Sequence, residues 1–183
     1  MKRCDHDRSG QAVALTVLAP VQAAHESALA DALGDLPALE GSPLARVPGT
    51  HFARFVVIDA PVYEGAGQQR DSWKASRLLF TSNFDGPLER YLDDLRTGLG
   101  TDGDATFGHC VGYPGHADAQ AWTAWLLAHR VKSSLFFGAY GDQAVQRVRE
   151  NIALRSRLAA FALEAQGLAP AELQARFREA FPR

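Results

Sequence analysis

The sequence predicts an α+β fold: a four-stranded antiparallel sheet with helices on one face and further helices after it. Three observations carry this. Four short runs rich in Val, Ile, Leu and Phe are bounded by Gly, Pro and Asp. Longer stretches with apolar residues at helical spacing stand between and after them. The segment Arg77 to Leu95, RLLFTSNFDGPLERYLDDL, joins one of each. Its apolar run stops at Asp85-Gly86, and Pro87 opens a helical pattern in Leu88, Tyr91, Leu92 and Leu95. Asp85 is placed to bond the first free amides of that helix, and Pro87 is tolerated in its opening turn.

Residues 1–10 are polar and are expected to be disordered, leaving 11–183 as a single domain. Lys2-Arg3 followed by the apolar stretch Ala12 to Ala19 imitates a secretory leader. Asp5, Asp7, Arg8 and Gly10 intervene and Pro20 interrupts the run, so it reads as the first strand, Val13 to Ala19. The first helix is expected from Ala23 to Leu36, ending before Pro37, and residues 37–49 form a connector. His51 to Asp59 is the second strand, and residues 60–75 a polar loop. Arg77 to Phe84 is the third strand, and Pro87 to about Leu99 the second helix.

An insertion over 101–132 follows, with a glycine-rich passage and a helix from Asp118 to His129 that carries Trp122 and Trp125. Ser133 to Tyr140 is the fourth strand. A helical extension occupies 143–183, its long helix capped by Asp142 and striped by Val145, Val148, Ile152, Leu158 and Phe161. The basic side of that helix (Arg147, Arg149, Arg155, Arg157) reads as a solvated face.

The order β-α-β-β-α-insert-β, with the second and third strands paired, is the ferredoxin-like pattern. Its strands are apolar on both sides: Phe52, Val56 and Ile58 oppose Ala53, Phe55 and Val57, and Val13, Leu15 and Val17 oppose Ala14, Thr16 and Leu18. One layer of helices covers one face, so a second cover is expected. A partner's sheet is the most economical, ahead of the inserted and C-terminal helices or an apolar ligand.

Taken with the SNFDG turn, this order resembles the dimeric α/β-barrel superfamily, in which two ferredoxin-like sheets close face to face, and the chain is similar to uncharacterised bacterial members. The resemblance covers Val13 to Tyr140 as a pattern of elements. The superfamily holds cofactor-free monooxygenases, small-molecule isomerases, haem enzymes and domains with no known activity; for this chain the expectation is a homodimer that binds or transforms a small organic molecule in an apolar cavity, with a non-catalytic domain whose apolar second face serves only assembly, or a haem protein, as alternatives. The dye-decolourising peroxidases of this fold carry GxxDG, for which Ser82-Asn83-Phe84-Asp85-Gly86 is the nearest match. Ser82 stands in place of the first Gly, and 183 residues are too few for the two ferredoxin-like units of those enzymes. A helix cap explains Asp85-Gly86 without any chemistry.

Several residues are candidates for a site. Phe107 to His116 places two imidazoles, a thiol and a phenol on a backbone loosened by glycines. There His109 can serve as general base or bind a metal, Cys110 can act as a nucleophile, and Tyr113 can donate to a developing oxyanion. The bland reading is a shaped loop whose His and Tyr satisfy backbone groups, and HCxxYxxH matches no zinc pattern. Arg54, inside an apolar strand, either clamps a carboxylate ligand or pairs with Asp59, Glu64 or a partner's acid. His51, Ser82 and Asn83 are read as ligand-binding and Asp85 as catalytic; His109 or His25 is the iron ligand if haem is bound.

A formal net charge of −2 offers no excess of cations for nucleic acid. No apolar run is long enough to span a bilayer. Two cysteines, Cys4 and Cys110, make no disulfide framework, which points to a reducing cytoplasm.

Overall fold

The computed structural model describes residues 6–59, 65, 75–140 and 143–182. The described residues form an α+β fold with one four-stranded antiparallel sheet and five α-helices. The strands are β1 (Arg8–Ser9), β2 (Ala12–Pro20), β3 (Thr50–Ile58) and β4 (Arg77–Asp85), in the spatial order β1-β2-β4-β3. The helices are α1 (Glu26–Gly34), α2 (Leu88–Phe107), α3 (Ala119–Ala128), α4 (Val145–Glu164) and α5 (Pro170–Ala180). Two compact units divide the chain, Met1–Ala144 and Val145–Arg183.

The three long strands fall where Val, Leu, Ile and Phe concentrate. Register pairs Val13 with Phe84, Leu15 with Ser82, Val17 with Phe80 and Ala19 with Leu78. All eight are buried, so they define one face of the sheet. Phe55 joins them from β3, its ring 4.8 Å from Phe80. Against this face pack Leu29 of α1, Tyr91, Leu95 and Phe107 of α2, and Trp122 and Leu126 of α3. Phe84 and Tyr91 lie ring on ring at 3.8 Å.

Four local expectations are corrected. Ser133 to Tyr140 is not a strand. The fourth strand is β1, inside the segment expected to be disordered. The cause is competition for the edge of β2. The Ala14 amide donates to the Asp7 carbonyl at 2.7 Å, so residues 7–9 occupy that edge as far as Ala14. Only a short stretch after α3 finds room: Leu18 donates to the His129 carbonyl and Val131 to the Thr16 carbonyl, both at 2.9 Å. The Asp7 carboxylate then takes the Ser133 amide at 2.6 Å and Arg130 at 2.7 Å, turning the chain away.

Second, the glycine-rich passage begins as helix. Gly100, at φ 50° and ψ −126°, breaks α2 locally, and the helix resumes to Phe107. A side chain would strain that backbone, which is why glycine stands there. Third, Asp85 does not cap α2; Pro87 holds the boundary without a side-chain bond, and Asp85 meets His51 instead. Fourth, α1 is shorter than expected, Glu26–Gly34 rather than Ala23 to Leu36; the helix expected from about Asp118 is α3, with Asp118 as its cap, accepting from the Gln120 and Ala121 amides. The Asp142 cap, most of the 60–75 loop and Glu64 lie outside the described residues.

The second unit is a pair of helices. Phe161, Phe177 and Phe181 form its aromatic cluster, with ring centroids 5.0–5.7 Å apart. Neither helix has a fully buried residue. Among the described residues, no helix is long and apolar enough to cross a membrane.

Candidate functional site

The other face of the sheet carries most of the residues singled out from the sequence. Strict alternation in β4 buries Leu78, Phe80, Ser82 and Phe84 and turns Leu79, Thr81, Asn83 and Asp85 to this second face. Register lays neighbours beside them in rows. Ala14, Asn83 and Phe52 form one row; Thr16, Thr81 and Arg54 the next; Leu18, Leu79 and Val56 the third. Phe52 is 76% exposed and Val56 38%.

A bulge in β3 completes the face. Thr50 pairs with Phe84 and Phe52 with Asn83, so His51 is the extra residue between them. Thr50 keeps to the core side, while His51 turns with Phe52 toward Asp85. Its Nε2 lies 2.8 Å from Asp85 Oδ1, with both side chains about four-fifths buried. Gly49, at φ +73°, makes the turn before the bulge, and its carbonyl accepts the Asp85 amide at 3.0 Å. The carboxylate fixes the Nε2–H tautomer and leaves the Nδ1 lone pair as an acceptor, the arrangement of a general base.

Arg54 is exposed, and its Nε donates to Thr81 Oγ1 at 3.2 Å. Among the described residues no acid pairs with it, so the rest of its guanidinium fork can receive an anion. Arg54, Asn83, His51 and Asp85 thus share one face, and the threonines between them were not singled out beforehand. Only the cross-strand register places Thr16 and Thr81 beside Arg54, and register is not written in any one segment.

Ser82 belongs elsewhere. It points into the core, 1% exposed, and its hydroxyl bonds the Tyr91 hydroxyl, which also meets Thr50 Oγ1 at 3.2 Å. Burial pushes the Tyr91 phenol up, against hydrogen bonds from Ser82 and Thr50 that pull it down. Buried Ser82 and Tyr91 and half-buried Thr50 together join β4, α2 and β3 directly beneath the bulge.

His109 and Tyr113 are also separate from the open face. Val21, just past the end of β2, bridges Cys110, whereas the Asp85 end pairs with Ala12. The length of β2 between those ends is about 26 Å. His109 does not meet Tyr113 in a common site but faces His25, Nδ1 to Nδ1 at 3.2 Å.

The Tyr113 hydroxyl donates to Asp104 at 2.8 Å and accepts from Trp122 Nε1 at 3.2 Å, so its proton is already engaged. Burial raises the phenol and the Asp104 hydrogen bond raises it further. Asp104 also holds His116, through the ring Nδ1 at 2.5 Å and the amide at 2.9 Å. Burial alone would raise the Asp104 carboxyl, but the bonds from His116 and Tyr113 outweigh it and hold the carboxyl below its usual range. The loop reading expects His and Tyr to satisfy backbone groups; here both side chains bond the Asp104 carboxylate instead. Burial pushes the Cys110 thiol up to about 12, which removes it as a nucleophile.

Haem does not fit the His25–His109 pair. The two Nδ1 atoms face one another, and Gln22 ties down the Gly108 and Cys110 carbonyls beside them, where a flat apolar slot would be required. Among the described residues, no three His, Cys, Asp or Glu side chains gather to hold a metal ion. Compared with protein-family models, curated proteins and solved structures, the chain matches none of them.

Proposed function

We propose that this protein works as a homodimer of ferredoxin-like subunits, in the manner of the dimeric α/β-barrel superfamily, with a small organic acid held between the sheets. One observation carries the reading: the open sheet face sets Arg54, Thr81 and Thr16 in a polar row flanked by the exposed apolar side chains of Phe52 on one side and Val56 on the other. A purely solvated face does not need Phe52 at 76% exposure, and a plain dimer core does not need an Arg among threonines. In this reading Arg54 holds the ligand's carboxylate, Phe52, Leu79 and Val56 enclose its apolar body, and Asn83 orients it.

If the ligand is transformed, His51 moves the proton, with Asp85 fixing its tautomer. That role passes from His109, which lies beyond the far end of β2. The compartment proposed with this reading is the cytoplasm, which the sparse cysteines support.

Two measurements on the full chain test this. Sedimentation equilibrium should return twice the 19.8 kDa chain mass. Thermal melting with octanoate should raise the midpoint in the native protein and leave Arg54→Ala unmoved. A monomer at tens of micromolar, or an equal shift in the Arg54 variant, overturns the reading.

A second reading, assembly without a ligand, draws on the C-terminal helices. Ile152 is 60% exposed, Leu163 72% and Phe177 45%, so α4 and α5 offer an apolar surface of their own. It is preferred if the chain is an oligomer whose melting responds to no organic acid.

A further inference from the structure

We infer that His25 and His109 form a two-imidazole site for a divalent transition-metal cation, at the opposite end of the sheet from the open-face site. Their Nδ1 atoms stand 3.2 Å apart with the ring planes inclined at 67°. Two metal–nitrogen bonds of about 2.0–2.1 Å spanning that separation enclose roughly 100°, between square-planar and tetrahedral. The same spacing serves a direct N–H···N bond in the metal-free protein, which is how the pair rests without a cation.

The backbone around the pair is built to keep that spacing. His109 follows the end of α2, and the chain there is laced to the segment after β2. The Gln22 amide donates to the His109 carbonyl at 2.8 Å, and the Gln22 side-chain amide spans the Gly108 and Cys110 carbonyls at 3.0 and 3.1 Å. Val111 donates to the Pro20 carbonyl at 2.9 Å. His25 is fixed in turn: its amide donates to the Gln22 carbonyl at 3.1 Å, and its carbonyl opens α1 by accepting from Leu29 at 2.9 Å. Gln22 therefore fixes the backbone at both histidines, which holds the two rings within reach of one ion.

The donor set selects the ion. Two neutral imidazoles, with no carboxylate or usable thiolate as a third ligand among the described residues, suit Cu²⁺, Ni²⁺ and Zn²⁺ and offer nothing to Mg²⁺ or Ca²⁺. Water fills the remaining positions, since both rings are half-buried and reach solvent. On binding, the ring that carried the Nδ1 proton takes the Nε2–H form by exchange with water, a small rotation turns both lone pairs toward the cation, and no net proton is lost. An exposed, two-ligand site loads and unloads freely, which fits a sensor or a metal-promoted contact better than a permanent structural ion.

The test uses the full chain, stripped with chelator and titrated calorimetrically with Zn²⁺ alone. One ion per chain is expected, with His25→Gln and His109→Gln each weakening binding at least tenfold, the double variant no weaker than either, and His6→Ala unchanged. Nitrogen NMR of the side chains of the native protein, needing no variant, should show zinc moving His25 and His109 Nδ1. Unchanged affinity in both Gln variants, zinc shifts on other histidines, no zinc binding, or equal affinity for Mg²⁺ overturns the site.

Discussion

His51 and Asp85, thirty-four residues apart, meet at 2.8 Å because the β3 bulge adds one residue opposite β4 and swings the imidazole onto the open face. The pair is a structural tie and, in the proposed reading, the group that moves the proton. Its coupling is measurable without knowing a substrate. In urea unfolding, His51→Gln and Asp85→Asn should each lower stability, and the double variant should lose less than their sum, leaving a coupling of about 0.5–1.5 kcal/mol. Strict additivity would show that the pair contributes no shared energy.

Beneath that pair, the Tyr91 hydroxyl stands between Ser82 and Thr50 at 1% exposure of the tyrosine. Tyr91→Phe keeps the ring stacked on Phe84 and removes only the hydroxyl, stranding the Ser82 hydroxyl in the core. A loss of about 1–3 kcal/mol is expected in denaturant unfolding. Ser82→Ala combined with Tyr91→Phe should recover part of it, since no buried donor is then left alone. Equal stability of Tyr91→Phe and the native chain would contradict this placement.

Asp7 and Asp104 make stability depend on pH in the acid range. For Asp7, burial would raise the carboxyl, but the Ser133 and Arg130 bonds hold it below its ordinary value. Asp104 is lowered in the same sense. A carboxyl depressed on folding stabilises the native state fully above its unfolded pKa, about 3.9, and that contribution drains away as pH falls through the folded value. Unfolding free energy should therefore decline below about pH 4, and less steeply in Asp104→Asn. Asp7→Asn should cost about 3 kcal/mol at neutral pH, because Arg130, only 18% exposed, loses its counter-charge. An acid slope identical in native and Asp104→Asn proteins would refute the assignment.

Much of this fold is legible in local sequence, and the failures share one cause. Val13 to Ala19, His51 to Asp59 and Arg77 to Phe84 coincide with β2, β3 and β4 to within a residue or so because each run combines β-branched or aromatic residues with Gly, Pro or Asp at its ends. Ser133 to Tyr140 has the same local character and is not a strand, because Asp7, some 126 residues earlier, takes its place on β2. No local pattern carries that competition. The same holds for the site. Arg54, Asn83 and His51 could be singled out one by one, but their shared face depends on the register of β3 against β4 and on one bulge. His109 and Tyr113 look like a unit four residues apart, yet His109 turns to His25 and Tyr113 to Asp104. The pairing of Asp104 with His116, twelve residues on, has no motif that would announce it.

Cys110 should be silent toward thiol reagents while the protein is folded. It is fully buried in the core, and burial pushes its thiol up to about 12, so almost no thiolate forms at pH 8. In a Cys4→Ser background, labelling by iodoacetamide should proceed only through unfolding and accelerate with urea as the unfolded fraction grows. Rapid labelling in the absence of denaturant would show that the segment joining α2 to α3 opens on its own.

Phe52 decides between the open face as an interface and the open face as a solvated surface. Phe52 is 76% exposed, next to Asn83 and one row from Arg54. If two sheets meet there, Phe52 is an aromatic anchor at the centre of the contact, and Phe52→Glu places a charge where none can be solvated. The expected penalty is at least about 2 kcal/mol, or roughly 30-fold in the dimer dissociation constant. It should appear as a shift to the monomer in sedimentation with little change in the urea midpoint of the monomer itself, because the inner core anchored by Phe80 and Phe84 does not involve Phe52. Should Phe52→Glu leave the association state untouched, the second face is not where copies of this chain meet, and an organic acid enclosed between two sheets has no place to sit.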